Sequence, residues 1–355
     1  MARLWVLGNG QLGAMLTSAA ESQDIPITTV GIHSDEVLDL SEDDVVSAEV
    51  EHWPSTATTE QLSHHPNFKN PEALTLLADR LEEKRLFDRL DLATAPWRYV
   101  ENDTREKNLY HELGDRVVLK RREGGYDGKG QHWLRSADDD LIPEGWHLQT
   151  IAEQAIDFDE EVSLVGARDT SGSLVFYPLT LNLHQDGILL ASIAPVARLA
   201  VLQSQAEDML SSLMLELDYV GVMAMECFRI GDNLMINEVA PRVHNSGHWT
   251  MTGASLSQFD LHVSCVMGLP IEKLDVNQTH IMVNLIGMPW DDCWQSVSNA
   301  TVYWYDKEVL PGRKLGHMNL HVNSSAELDD MLREIEPLLS ERYVKMFAWL
   351  RQQFD

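Results

Sequence analysis

The chain has 355 residues, 44 % of them apolar and 23 % charged, the balance of a folded globular protein rather than a disordered one. Its 56 acidic and 27 basic residues leave a formal net charge of −29. A surface that negative repels nucleic acid and anionic membranes, so neither is expected as a partner. An anionic ligand would need its positive charges gathered locally, or a cation beside it. The three cysteines, Cys227, Cys265 and Cys293, are too few and too scattered for a disulfide or metal framework, which suits a reducing cytoplasm. The apolar run Leu4–Leu7 stops at Gly8, too short for an export signal, and nothing approaches the roughly 18 apolar residues of a membrane span.

The first 90 residues alternate strand and helix patterns. Leu4–Leu7 reads as a buried strand, followed by a glycine turn and a helix through about Ser22. Ile27–Ile32 and Val45–Ala48 read as further strands, so the region predicts a parallel sheet with helices on its faces. The acidic run from Asp35 to Glu51 reads as a solvated face. A charged amphipathic helix is expected over 78–90, and Leu92–Pro96 reads as a boundary. Strands and hairpins dominate from Val117 to Ala194. A helix follows near Gln203–Leu217, then strands at Val220–Ile230 and Leu234–Val239. The remainder mixes strands (Ile281–Leu285, Thr301–Tyr305) with helices (Ala326–Glu336, Leu338–Leu350). The reading is α/β, with units at 1–92, 93–267 and 268–355.

Gly8-Asn9-Gly10-Gln11-Leu12-Gly13 places a G-x-G-x-x-G loop between a strand and a helix. The helix N-terminus offers N–H groups to an anion, which fits a dinucleotide, another phosphate-bearing ligand or only a tight structural turn. The second glycine loop is more informative. Lys120 ends an apolar strand, and the stretch through Gln131 holds Gly124, Gly125, Gly128 and Gly130 together with Lys129. Four glycines in seven residues exceed what a hairpin needs; they make a flap of N–H donors able to fold over a polyphosphate. No Gly-Lys-Ser/Thr opens a helix, so it is not a P-loop.

Glu226 and Glu238 lie inside apolar strands, where an unpaired carboxylate is expensive. A three-residue hairpin loop, Gly231-Asp232-Asn233 with Asn233 left-handed, would set Glu226 opposite Glu238 on one face. A magnesium ion bridging phosphate oxygens would relieve their repulsion. Pro241-Arg242-Val243-His244-Asn245-Ser246-Gly247-His248 follows. Its glycine and Ser-Gly pair oppose the helix that a zinc-binding His-x-x-x-His would need. The favoured reading is an anion pocket, with Arg242 as a planar fork and His244, Asn245 and Ser246 as hydrogen-bond partners. Arg313 and Lys314 form a second basic cluster.

Together these segments resemble the ATP-grasp superfamily, and within it the N5-carboxyaminoimidazole ribonucleotide synthetases, ATP-dependent carboxylases (carbon–nitrogen ligases) of purine biosynthesis. The resemblance is carried by Gly8–Gly13, by Gly124-Gly125-Tyr126-Asp127-Gly128-Lys129-Gly130-Gln131, by Asn237–Arg242, by His244–His248 and by Gly312-Arg313-Lys314-Leu315-Gly316-His317. It implies an N-terminal α/β part, a central region clamping ATP between sheets, a small C-terminal part and a homodimer. It implies that Lys120 and the loop from Gly125 to Gln131 cover the triphosphate, and that Glu153-Gln154-Ala155-Ile156 form a hinge reading adenine. By the same likeness Glu161 holds the ribose, and Arg80, His184, Asn237 and Glu238 touch the nucleotide. Glu226 and Glu238 take Mg2+, Arg242 holds bicarbonate and His244 serves catalysis. Asp127 is the candidate base. Gly8 through Leu12 hold the 5′-phosphate of 5-aminoimidazole ribonucleotide, aided by Asn245, Ser246, Arg313 and Lys314. Strand alternation turns Asn237 away from Glu238, which leaves Asn237 doubtful as a metal ligand. Alternatives are a formate-dependent phosphoribosyl transformylase, an amino-acid ligase, or an NAD(P)-dependent oxidoreductase using the first loop.

Overall fold

A computed structural model describes residues 2–125, 128–135 and 141–354. No helix among them is long and apolar enough to cross a membrane. Strand β1 (Leu4–Leu7) is buried at every position and lies between β2 (Ile27–Val30) and β3 (Val45–Ala48), all parallel. A central parallel strand is covered on both faces, which is why its residues are continuously apolar. Helix α1 (Gln11–Ser22) follows β1. Next come α2 (Ala57–Ser63), α3 (Pro71–Leu77) and α4 (Arg80–Arg89). Asp79 starts α4 by accepting the Leu81 N–H at 2.9 Å, two residues later than the apolar pattern suggests.

The run from Asp35 to Glu51 is solvated only in part: Asp35, Glu36, Asp39, Glu42 and Asp43 are exposed, but the run also contains β3, and two of its acids point inward. Asp44 accepts N–H groups from Arg3, Ser41 and the Trp5 indole, and Glu49 turns under the first glycine loop. Counting charges over the whole run hides the few positions whose neighbours need an acceptor.

Four antiparallel strands make a second sheet: β4 (Trp97–Tyr99), β5 (Val117–Arg121), β6 (Gln131–Leu134) and β7 (Thr150–Gln154), in the order β4-β7-β5-β6. Helix α5 (Glu106–Leu113) packs on it around Val100, Leu109, Val117 and Leu119. The second glycine loop is the β5–β6 connection. Leu92–Pro96, read from sequence as a boundary, is pinned to the next sheet: the Ile236 N–H donates to the Ala93 carbonyl at 2.7 Å.

The third sheet has nine strands. They are β8 (Glu160–Arg168), β9 (Leu174–Phe176), β10 (Thr180–Gln185), β11 (Ile188–Ala194), β12 (Gly221–Ile230), β13 (Asn233–Ala240), β14 (Thr279–Ile286), β15 (Ala300–Trp304) and β16 (Lys314–Val322). Their order is β13-β12-β8-β10-β11-β14-β16-β15, with β9 beside β8. The sheet runs on across residue 267, because β11 pairs with β14. Helices α6 (Gln203–Glu216), α7 (Thr250–Gly253), α8 (Gln258–Val266), α9 (Ser325–Ile335) and α10 (Val344–Gln352) complete the chain. The last is shorter than its apolar pattern, which short 3-10 turns at Glu336–Leu338 and Glu341–Tyr343 interrupt.

His262 joins the first sheet to the third. Its Nε2 lies 2.9 Å from the Ser47 hydroxyl on β3, and its Nδ1 accepts the Val222 N–H of β12 at 3.1 Å. An imidazole that accepts at Nδ1 is neutral there, and burial pushes its pKa down from 6.5 to about 4. The unfolded chain therefore takes up a proton at a pH where the folded chain does not. This contribution to stability is complete above pH 6.5 and is lost as pH falls toward 4, about 3 kcal/mol in all. Denaturant unfolding of His262→Gln should show a shallower acid decline between those values than the wild type. Parallel declines would refute the assignment.

Candidate active site

The β12–β13 hairpin turns on two residues, not three. Ile230 pairs with Asn233, and Gly231 takes φ +58°, the backbone that two-residue hairpin turns need at their first position. Asn233 is an ordinary strand residue. That register alone would put Glu226 and Glu238 on opposite faces. A bulge after Cys227↔Ile236 inserts Asn237 as an extra residue, and Glu226 then pairs with Glu238. The bulge also brings Asn237 to the same side as Glu238, against simple alternation. The Asn237 Oδ1 accepts from Lys120 Nζ at 3.1 Å.

An inner cavity of about 280 Å³ lies between the second and third sheets. Lys120 on β5, Glu153 through Ile156 at the end of β7, Glu161 on β8, His184 on β10 and the Glu226/Asn237/Glu238 group all line it. So do Gly128 and Gln131 of the glycine loop, whereas Lys129 and Gly130 do not. Tyr126 and Asp127 lie outside the described residues. Beside Ile156 of the expected hinge, the apolar walls escaped the sequence reading: Val118, Trp133, Leu189, and Phe158 stacked on Phe228 at 4.5 Å. Val118, Trp133, Leu189 and Phe228 look like ordinary strand residues, and Phe158 like a loop residue, until the two sheets face each other.

Charges in this cavity are unevenly matched. Burial opposes ionisation of Glu238, but Arg80, 3.2 Å away, holds its carboxyl below the usual range. Burial raises Glu226, and His184 only partly offsets it. Among the described residues Glu226 Oε1 is buried without a hydrogen-bond partner; His244 Nδ1 lies 3.8 Å away and His184 Nε2 4.0 Å. His184 also meets Glu161 at 3.0 Å; burial lowers its pKa, but these acids lift it to about 8. His244 is pushed down to about 3 by burial and by Arg242. Its Nδ1 accepts the Ser246 N–H, so the neutral ring carries its proton on Nε2.

An outer cavity of about 480 Å³ opens toward the first sheet. Gly10, Gln11, Leu12, Glu49, Glu51, Arg242 and Lys307 line it, with Gly125 from the glycine loop. Arg80, Glu238, His244, Asn245 and Lys314 line both cavities, so the two meet at the end of β13. Several expected residues are placed differently. Gly8, which is buried, and Asn9, which is exposed, do not line the outer cavity. The Gly10 and Gly13 N–H groups donate to the Glu49 carboxylate, so those donors of α1 are satisfied within the chain. Ser246 is fully buried and holds the His244 ring, at 2.9 Å, rather than facing the cavity. Arg313 turns away and donates to the Glu308 carbonyl at 3.4 Å. Arg242 meets Glu51 at 2.9 Å.

Glu49 and Lys307 were among the residues missed here. Glu49 lies just past the end of β3, beside the glycine turn, where a parallel sheet presents functional groups; that position was a usable signal. Lys307 donates to Gln11 Oε1 and lies 5.5 Å from the Tyr305 ring centre. It follows β15 in a loop with no local signature. His244 and His248 do not converge on a metal: His248 bonds to Gln258 and faces His317.

The ATP-grasp domain family model matches residues 85–259, and that of the phosphoribosylaminoimidazole carboxylase C-terminal domain matches 280–331. The chain is 47 % identical to N5-carboxyaminoimidazole ribonucleotide synthase of Escherichia coli over 354 residues, covering 100 % of both chains. The crystal structure of the N5-carboxyaminoimidazole ribonucleotide synthetase from Thermus thermophilus superposes with a TM-score of 0.85 at 35 % identity, over 95 % of this chain and 99 % of that one. The Aspergillus clavatus N5-carboxyaminoimidazole synthase, solved with ADP and 5-aminoimidazole ribonucleotide, gives a TM-score of 0.80 at 25 % identity over 95 % and 97 %. Matched along its whole length at this identity, and with the same fold as these solved structures, the chain belongs to the N5-carboxyaminoimidazole ribonucleotide synthase family.

Proposed function

We propose that the two joined cavities serve one reaction, with ATP in the inner one and 5-aminoimidazole ribonucleotide in the outer one. The chain is an ATP-dependent carbon–nitrogen ligase that carboxylates 5-aminoimidazole ribonucleotide to its N5-carboxy derivative in purine biosynthesis. The carrying observation is the shared wall: Arg80, Glu238, His244, Asn245 and Lys314 face both cavities, so the phosphate end of one ligand meets the amine of the other.

In this reading adenine packs among Val118, Ile156 and Phe228 and bonds to the backbone from Glu153 to Ile156. Glu161 takes the ribose hydroxyls, and Lys120 with the glycine loop takes the phosphates. Bicarbonate sits on Arg242. The γ-phosphoryl group passes from the ADP oxygen to a bicarbonate oxygen, giving carboxyphosphate; positioning and charge neutralisation are what such a transfer needs. The amine then forms a bond to the carboxyl carbon, phosphate departs and the nitrogen gives up a proton. Asp127 is our candidate for that proton. His244, neutral with its proton on Nε2, offers a hydrogen bond rather than a base. Gln11, Lys307 and Lys314 hold the ribonucleotide phosphate, displacing the Lys307–Gln11 contact. Glu226 and Glu238 would hold Mg2+. Hard oxygen donors and an unpartnered buried carboxylate oxygen fit that ion, which when bound screens the phosphate charge. The division 1–92, 93–267 and 268–355 is our reading of the domains, with the last two sharing a sheet. A cytoplasmic homodimer belongs to the same reading.

ADP release measured with bicarbonate, with and without 5-aminoimidazole ribonucleotide, tests this. Release should require bicarbonate and accelerate with the ribonucleotide. Bicarbonate-independent release, or equal rates with formate or an amino acid, would overturn it.

A further inference from the structure

We propose that Lys84 is a positioning residue for ATP: by sharing the buried carboxylate of Glu153, it leaves the charge of Lys120 available to the triphosphate. This rests on the reading that Lys120 meets the phosphates in the inner cavity. Lys84 projects from α4 into the seam behind that cavity, and its side chain is 1 % exposed. Its Nζ donates to the Thr94 hydroxyl and lies 3.3 Å from Glu153 Oε1. The other oxygen, Glu153 Oε2, is 2.7 Å from Lys120 Nζ. One carboxylate, 4 % exposed, thus stands between two ammonium groups, and only the outer one lines the cavity. A fully buried lysine is uncommon and needs a paired role.

The charge count explains the arrangement. A Glu153–Lys120 pair alone would be neutral, with the lysine's field spent on its own partner. With Lys84 present the triad carries one net positive charge, presented to the cavity at Lys120. In a site shielded from water that charge acts strongly on a phosphate. A plain structural role, in which Lys84 only pins α4 to Thr94 and β7, makes no such distinction between ligands.

Calorimetric titration of the intact protein with ATP and with adenosine separates the two. Lys84→Met makes the triad neutral and should weaken ATP on the order of tenfold while leaving adenosine unchanged. The double variant Lys84→Met/Glu153→Gln restores one net positive charge and should regain most of the ATP affinity. Glu153→Gln alone should bind ATP at least as tightly as the wild type, which keeps the test decisive if Lys84→Met does not fold. Equal loss for adenosine and ATP, a double variant weaker than the single, or weakened ATP binding by Glu153→Gln would each overturn the role of Lys84. A wild type that binds adenosine as tightly as ATP would instead overturn the phosphate role of Lys120.

Discussion

Glu226→Gln should abolish bicarbonate-dependent ADP release, by on the order of a thousandfold, yet leave the ligand-free protein at least as stable as the wild type. The two halves have one cause. Glu226 stands opposite Glu238 on the hairpin, and Arg80 compensates only Glu238. Oxygen Oε1 of Glu226 has no hydrogen-bond partner among the described residues, and neither imidazole is within hydrogen-bond reach. An unmatched buried carboxylate is unfavourable in the resting protein, and a neutral amide of the same shape removes that repulsion. The charge is needed only when the nucleotide arrives with its cation. Turnover assays read the first effect and thermal melts without ligand the second. A gain of about 1 kcal/mol would appear as a rise of about 2 °C. Retained turnover would remove Glu226 from the metal assignment. A large drop in melting temperature would mean that its carboxylate has a structural partner in the resting state.

The same hairpin shows what sequence can and cannot carry. Its opposed acids followed from strand periodicity and a guess at loop length. The loop is one residue shorter than that guess, and the bulge at Asn237 makes up the difference. A bulge leaves little trace in composition, so the pairing was legible while its mechanism, and the inward turn of Asn237, were not. Arg313 and Lys314 are a parallel case. Both are basic and adjacent, and adjacent strand-end residues point opposite ways. Only Lys314 faces the cavities. Lys84 lay in plain view within a charged helix, yet helical periodicity assigns such a residue to solvent. Only the approach of β7, with Glu153, and of Thr94 turns it into the core. Local pattern fixes which face a residue takes; what that face meets depends on contacts far apart in the chain.

Arg242→Lys should raise the KM for bicarbonate by about a hundredfold, about 2.7 kcal/mol, while ADP affinity changes by less than about twofold. Arg242 follows the bend at Pro241, where β13 has ended and the chain enters the outer cavity. Its Nε faces Glu51 at 2.9 Å and its Nη1 donates to the Val243 carbonyl at 3.2 Å. Those contacts fix the plane of the guanidinium and leave further N–H donors for a small anion. A planar fork matches the two oxygens of bicarbonate, and a lysine ammonium does not. The substitution keeps the positive charge, so a purely electrostatic role would survive it; a role in geometry would not. Initial rates against bicarbonate at saturating ATP, together with ADP titration, distinguish these. Unchanged bicarbonate dependence with weakened ADP binding would move Arg242 to the nucleotide. Unchanged values for both would leave it as the partner of Glu51, holding the loop after β3 against the end of β13.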